Sequence, residues 1–147
     1  MFLSYVGIRV TDLERSVRFY QEILGLKVVR SGDFSLNGGG KYVLLRDPMS
    51  GQRLELNWYP EGSKYATRYV PGEGLDHLGV KVESVAAKLE EFQAKGLEAV
   101  SIPDSLARQE LGDTFTLHIG FVKDPDGNWI GLYDHPSGKA IYDPSEY

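Results

Sequence analysis

The chain has 147 residues, no cysteine, and a formal charge of −5 from 16 basic and 21 acidic side chains. This length suits one domain that buries its core without crosslinks, and the lack of cysteine excludes disulfides, thiolate metal sites and cysteine nucleophiles. The acidity and the absence of a basic run argue against nucleic acid as a partner, and no segment approaches the ~20 apolar residues that span a membrane.

The first predicted element is a half-buried strand, because apolar residues occupy every second position: Val6, Ile8 and Val10. A helix follows, since Thr11 and Glu14 have the spacing of a capping box and Gly25 stands where a glycine ends a helix. Three further strands are predicted at roughly 26–31, 41–46 and 53–59. No positive charge precedes the first strand, so we expect no signal peptide and a cytoplasmic location.

The same order of elements then repeats, because Leu78, Val80 and Val82 match the apolar positions of the first strand at a constant offset of 72 residues. A second helix follows, with Ser84 as its N-cap and Gly96 at its end. Three more strands are predicted at roughly 98–102, 114–123 and 128–133. Since strand, helix and helix stop repeat together, the sequence predicts an internal duplication.

The duplication predicts an α+β fold of two tandem βαβββ modules, which form a curved, barrel-like mixed sheet with the helices outside. We assign the chain to a single domain, 1–147, divided as follows: module one 1–59, connecting loop 60–74, module two 75–135 and C-terminal tail 136–147. Proline, glycine and tyrosine enrich the loop, which suits either an ordered lid or a plain linker.

The repeat also predicts which side chains face the hollow of the sheet. One set of apolar residues is expected under the helices: Leu54, Leu56, Ile130 and Leu132. Alternation then turns Glu55 and Gly131 to the other face, and the first strands add Tyr5 and His77 at equivalent positions. These four positions are expected to converge by symmetry, within one chain or across two.

A turn at residues 124–127 sets the register of the last hairpin. A type I turn with a left-handed bulge at Gly127 places Phe121 opposite Gly131 and turns His118 toward the helices. The hollow then receives an apolar wall: Phe115, Leu117, Ile119 and Phe121. An apolar wall beside a few polar groups is typical of a pocket for a small-molecule ligand.

Several segments spread over nearly the whole chain carry a family resemblance: 9–13, Ser16, Phe19-Tyr20, Leu24-Gly25, 54–56, 74–82 and 121–132. They resemble the vicinal oxygen chelate superfamily, which includes glyoxalase I, extradiol dioxygenases and bleomycin-resistance proteins. Within this superfamily the local sequence is most similar to glyoxalase I. This resemblance implies an enzyme like lactoylglutathione lyase, acting on a small oxygenated or thiol-conjugated substrate. It also implies a homodimer, because the cleft of such proteins often forms between two chains.

In glyoxalase-like members the four converging positions hold a divalent metal through His or Gln, Glu, His and Glu. Glu55 and His77 match the second and third ligands, whereas Tyr5 and Gly131 stand at the first and last. The resemblance therefore implies a site for zinc, nickel, manganese or iron that keeps Glu55 and His77 and lacks two ligands.

Glu55 and His77 are the predicted catalytic residues, as a general base and as a ligand or proton shuttle. The predicted substrate-binding residues are Tyr5, Arg9, Asn57, Phe121, Trp129 and Tyr133. Each has a structural alternative: an ion pair of Glu55 with an arginine, a hydrogen bond of His77 to Tyr5 or Glu55, a salt bridge of Arg9, or barrel packing of the aromatic rings. His118 would be a substitute ligand only in another register, and His135 suits a solvated tail.

Three functions remain open on the sequence. The first is a glyoxalase-like enzyme in which Glu55 removes a proton beside a carbonyl while His77, with or without a metal, stabilises the enolate. The second is a metal-free protein that binds a small molecule or sequesters an antibiotic. The third is a metal-free isomerase or lyase that uses Glu55 and His77 as an acid–base pair.

Overall fold

A computed structural model describes residues 4–35, 38–66, 68–72, 74–102, 108–110, 113–115 and 118–134. The chain divides into two compact units, Met1–Pro71 and Gly72–Tyr147. Each unit contains one helix and one four-stranded mixed sheet, which confirms the α+β class and the two βαβββ modules. In the described part of the chain, hydrogen-bonded strand pairing stays within each module, which gives two four-stranded sheets and one further two-stranded sheet in unit two. The prediction of one barrel-like mixed sheet is therefore wrong, because no strand of one module pairs with a strand of the other among the described residues.

Unit one contains β1 (Val6–Arg9), α1 (Leu13–Glu22), β2 (Lys27–Phe34), β3 (Gly40–Arg46) and β4 (Arg53–Trp58). The strand order is β1-β4-β3-β2, with β1 parallel to β4 and the other pairs antiparallel. The helix covers one face and buries apolar side chains: Ile8, Val10, Phe19, Tyr20, Val43, Leu45, Leu54 and Leu56.

The start of α1 differs from the prediction by one residue. Asp12 is the N-cap, and its carboxylate accepts the backbone N–H of Arg15 at 2.9 Å. Thr11, predicted as the cap, instead accepts a hydrogen bond from the Arg15 guanidinium at 3.0 Å. Threonine and aspartate are both good N-cap residues, so the sequence alone did not distinguish Thr11 from Asp12 as the start of the helix.

Unit two contains β5 (His77–Lys81), α2 (Val85–Ala94), β6 (Ala99–Ile102), β7 (Arg108–Glu110), β8 (Asp113–Phe115), β9 (His118–Lys123) and β10 (Trp129–Asp134). The larger sheet has the order β5-β10-β9-β6, again with one parallel pair, β5 with β10. Ser84 caps α2 as predicted. The strand predicted at 114–123 is not a single pairing unit, because β8 pairs with β7 while β9 pairs with β10 and β6.

The two parallel pairs have the same register, as an internal duplication requires. Gly7 lies opposite Glu55 in unit one, and Gly79 lies opposite Gly131 in unit two. Glu55 and Gly131 therefore occupy equivalent positions, as predicted. Within the described ranges, neither helix is long and apolar enough to cross a membrane.

Candidate active site

Glu55 lies in the middle of β4 on the face turned away from α1, which we call the open face of unit one. Its neighbours Leu54 and Leu56 are buried under the helix, so the alternation of the strand directs Glu55 the other way. Gly7 on β1 and Leu44 on β3 are its register partners. The carboxylate is thus half-buried between a residue without a side chain and an apolar one.

Asn57, two residues along β4, shares this face and holds Glu55. The amide Nδ2 of Asn57 donates a hydrogen bond to Oε1 of Glu55 at 3.2 Å. A Cβ at Gly7 would lie 3.3 Å from the same Nδ2, closer than most real contacts. Glycine on β1 therefore leaves room for the amide that orients the carboxylate.

The side chain of Arg9 on β1 contacts the aromatic ring of Tyr59. Its guanidinium carbon lies 5.3 Å from the centre of the Tyr59 ring, a cation–π distance. A cavity of about 240 Å³ opens beside it and is lined by Arg9, Val10, Thr11, Trp58, Tyr59, Ala66 and Tyr69. The connecting loop therefore supplies wall residues to a cavity of unit one.

Tyr5 precedes β1 and has 47% of its surface exposed. It lines a second cavity of about 230 Å³, together with Ser4, Val6 and residues 50–53. Its predicted roles as a substrate-binding residue and at a shared metal position stay predictions.

His77 begins β5 in unit two and is held by two neighbours. Its Nδ1 lies 2.5 Å from Oδ1 of Asp76. The planes of the His77 and Phe121 rings are perpendicular, with 5.7 Å between the centres. These contacts fix the orientation of an imidazole that is still 44% exposed.

Gly131 explains how the two rings come so close to the sheet. It lies opposite Phe121 in the antiparallel ladder, which confirms the predicted register. A Cβ at this position would lie 3.0 Å from Cδ2 of His77 and 3.1 Å from Cε1 of Phe121. The rings therefore occupy the space into which a side chain at 131 would project.

Gly131 and Phe121 lie on the sheet face turned away from α2, which we call the open face of unit two, and aromatic side chains continue it. Trp129 lies opposite His77 in the parallel ladder, and its ring meets that of Phe121 with 6.0 Å between centres. The ammonium of Lys123 lies 4.5 Å from the centre of the Trp129 ring. Tyr133 is half-buried two residues beyond Gly131, and its predicted ligand contact stays a prediction.

His118 points toward the helix, as the predicted register required. Its Nδ1 lies 2.6 Å from Oδ1 of Asp134, whose Oδ2 accepts the Val85 N–H at the start of α2 at 2.6 Å. Three other positions named in the predictions lie outside the described residues, namely Leu117, His135 and the side chain of Phe115.

The donor set does not fit the four-ligand metal site that the resemblance implies. Among the described residues, no group of three or more His, Cys, Asp or Glu side chains could hold a metal ion. Gly131 offers no donor, and the rings of His77 and Phe121 fill the adjacent space. Protein sites for transition metals commonly use three or more protein ligands.

Two residues of these faces were not predicted from the sequence. Asp76 directly precedes His77, and a carboxylate beside a histidine is the signal that could have revealed it. Tyr42 lies opposite Asn57, and its ring covers Gly32 of β2 so closely that a Cβ there would be 2.8 Å away. Tyr42 directly precedes the buried Val43 on β3, so the alternation of the strand is the signal that places Tyr42 on the opposite face.

Comparisons with known proteins place the chain in a family. Residues 2–132 match the model of the Glyoxalase/Bleomycin resistance protein/Dioxygenase superfamily. A probable lactoylglutathione lyase of Synechocystis is 32% identical over 146 residues, covering 95% of this chain and 99% of that protein. The lactoylglutathione lyase of Haemophilus influenzae is 30% identical over 146 residues, covering 95% and 97%.

A solved structure of the trypanothione-dependent glyoxalase I of Leishmania major is also similar. It has 29% identity and a TM-score of 0.61, and the match covers 90% of this chain and 86% of that one. The predicted resemblance is confirmed, and the names of these relatives favour a lyase.

Proposed function

Because the chain belongs to the glyoxalase/bleomycin resistance protein/dioxygenase superfamily, we propose that it is a glyoxalase-like lyase or isomerase. Its substrate is a small oxygenated or thiol-conjugated carbonyl compound, as the names of the relatives suggest. The observation that carries this proposal is Glu55, a half-buried carboxylate oriented by Asn57 on an open sheet face.

Glu55 is proposed as the base that removes a proton from the carbon beside the substrate carbonyl. Glu55 lies beside Gly7 and Leu44 and is half-buried, so it is partly exposed and partly shielded from water. A positioned general base contributes about 10²–10⁴-fold to the rate. Asn57 keeps one carboxylate oxygen fixed, so the other is directed at the substrate.

His77 is proposed to handle the proton on the substrate oxygens while Glu55 handles the proton on carbon. This requires His77 and Glu55 to meet at one substrate, either in one chain or in a homodimer. Arg9 beside its cavity is proposed to bind an anionic end of the substrate, since a guanidinium suits bidentate carboxylates. The remaining predicted contacts are proposed as walls of the cleft: Tyr5, Phe121, Trp129 and Tyr133.

The proposed mechanism uses no metal, because two of the four implied ligand positions, Tyr5 and Gly131, lack a suitable donor. The measurement is elemental analysis of protein purified without a metal-affinity tag, followed by titration with zinc, nickel, manganese and iron. We expect no tight binding at micromolar concentration. One metal per chain, lost in both Glu55→Ala and His77→Ala, would contradict this and restore the metal-dependent mechanism.

The enzymatic proposal is tested by conversion of a thiol-conjugated 2-oxoaldehyde to the 2-hydroxy thioester, followed by absorbance. Glu55→Gln should lower kcat by about 100-fold or more, because the amide cannot accept the proton. Glu22→Gln removes an exposed carboxylate at the end of α1 and is the matched control. Turnover that survives Glu55→Gln would refute the assignment of the base.

A second candidate function, small-molecule binding without turnover, is favoured by the rings around Gly131. His77, Phe121 and Trp129 offer aromatic surfaces on one sheet face, which suits a planar ligand. Quenching of Trp129 fluorescence, with Trp58→Phe to remove the other tryptophan, would report such binding. Under this alternative Glu55→Ala keeps its ligand, whereas under the enzymatic proposal it loses turnover.

The assembly is proposed as a homodimer. Sedimentation equilibrium over a range of concentrations measures it, and a mass of one chain throughout would contradict the dimer.

A further inference from the structure

We propose that Asp76 is a positioning residue that fixes the tautomer of His77 and leaves Nε2 as an unprotonated, accepting nitrogen on the open face of unit two. The inference deepens the proposed function, because it specifies which atom of His77 moves the proton. It stands on geometry within unit two alone.

The first step is the short contact between the two side chains. Nδ1 of His77 lies 2.5 Å from Oδ1 of Asp76. An ionised carboxylate only accepts hydrogen bonds, so the proton of this contact belongs to Nδ1. A neutral imidazole carries one N–H, and Nε2 is therefore left with its lone pair.

The second step is the placement of the opposite edge of the ring. Phe121 packs perpendicular to the imidazole, and a Cβ at position 131 would lie 3.0 Å from Cδ2 and 3.6 Å from Nε2 of His77. Nε2 thus lies beside the one backbone position on β10 where glycine provides no side chain to cover it. Because Asp76 binds Nδ1 and Phe121 packs against the ring, the imidazole presents Nε2 rather than Nδ1 to a ligand.

An accepting Nε2 suits the transfer of a hydroxyl proton. In a 2-hydroxy carbonyl substrate, Glu55 takes the proton from carbon, and Nε2 takes the proton from the hydroxyl oxygen. The electron pair of the C–H bond forms the enediolate, and His77 returns its proton to the former carbonyl oxygen while Glu55 reprotonates the adjacent carbon. Both protons end in the product, so the 1,2-shift needs no oxidant or reductant.

The test is the tautomer of His77, read from its ring ¹⁵N chemical shifts at alkaline pH, where the ring is neutral. The chain has three histidines, so His118→Gln and His135→Gln assign the signals. Wild type should show the Nδ1–H form. Asp76→Ala should lower the ratio of Nδ1–H to Nε2–H by about two- to fivefold, as expected for one exposed charged hydrogen bond.

Asp76 is 95% exposed, so the alanine variant should fold normally. Asp76→Glu keeps a carboxylate and should restore part of the ratio, while Glu83→Gln removes an exposed carboxylate of the same unit as the control. A wild-type ring in the Nε2–H form, or a ratio unchanged in Asp76→Ala, would overturn the inference.

A kinetic readout separates this inference from the proposed function. In the active enzyme, Asp76→Ala should reduce kcat by about two- to fivefold, in line with the tautomer ratio, and leave KM unchanged, because it removes orientation rather than binding. A chain without lyase activity but with the expected tautomer shift would refute the function and keep the inference. An active chain whose kcat is unchanged in Asp76→Ala would refute the inference and keep the proposed function.

Discussion

Replacing Gly131 with alanine should push His77 out of its position, and Gly79 provides a matched control. The new methyl carbon would lie 3.0 Å from Cδ2 of His77 and 3.1 Å from Cε1 of Phe121. Non-bonded carbons normally stay about 3.5–4.0 Å apart, so the rings must retreat by about half an ångström. Gly79 is the register partner on β5, and among the described residues no heavy atom lies within 4 Å of its added Cβ.

The comparison of the two variants isolates the strain. Both substitutions restrict the unfolded chain alike, which favours the folded state by about 0.4–1 kcal/mol. Only Gly131→Ala adds overpacking, which costs about 1–3 kcal/mol. It should therefore be less stable than Gly79→Ala by about 1–3 kcal/mol, and its unfolding temperature should be several degrees lower.

The assays are urea unfolding and the ring resonances of His77. We expect shifted His77 signals and reduced turnover in Gly131→Ala, with neither change in Gly79→Ala. Equal stability of the two variants together with unchanged His77 signals would refute the close packing of the rings against residue 131.

Three further predictions concern stability. Gly120→Ala places a methyl carbon 2.7 Å from a leucine of α2 and should lose about 1–3 kcal/mol in urea unfolding; wild-type stability would contradict the helix packing. Asp134→Ala removes the buried carboxylate that accepts the first N–H of α2, and it should cost about 1–3 kcal/mol, whereas an unchanged midpoint would argue against this anchor. Hydrogen bonds from Lys88 and Lys95 lower the pKa of Glu91 from 4.5 to about 2. The contribution of Glu91 to the free energy of unfolding is therefore fully present above pH 4.5 and is lost as the pH falls toward 2. Glu91→Gln should then differ from wild type in thermal unfolding at neutral pH but not near pH 2, and a constant difference would refute the pairing.

The repeat allowed most of the fold to be predicted from the sequence. Alternating apolar residues and the 72-residue offset predicted that positions 55 and 131 are equivalent, and the turn at 124–127 predicted the pairing of Phe121 with Gly131. The hairpin of β7 and β8 was missed because strands of three residues are too short to show a period.

The candidate site was predictable only in part, since close contacts depend on side-chain rotamers. The duplication identified Glu55 and His77, but not Asn57 as the donor to Glu55 or Asp76 as the partner of His77. These contacts join residues one or two positions apart, where sequence alone leaves several rotamers open. The meeting of Glu55 with His77 at one substrate stays a prediction.

The two modules have diverged in chemistry while keeping the same backbone register. Position 55 of module one retains a carboxylate, held by a neighbouring amide, and the equivalent position 131 of module two has none. In module two the imidazole of His77 and the ring of Phe121 fill the space into which a side chain at position 131 would project. A carboxylate at position 131 could not be added without moving both rings, so the absence of a donor there and the placement of His77 are coupled. In the proposed function, the pairing of His77 with Asp76 serves proton transfer by module two without a metal.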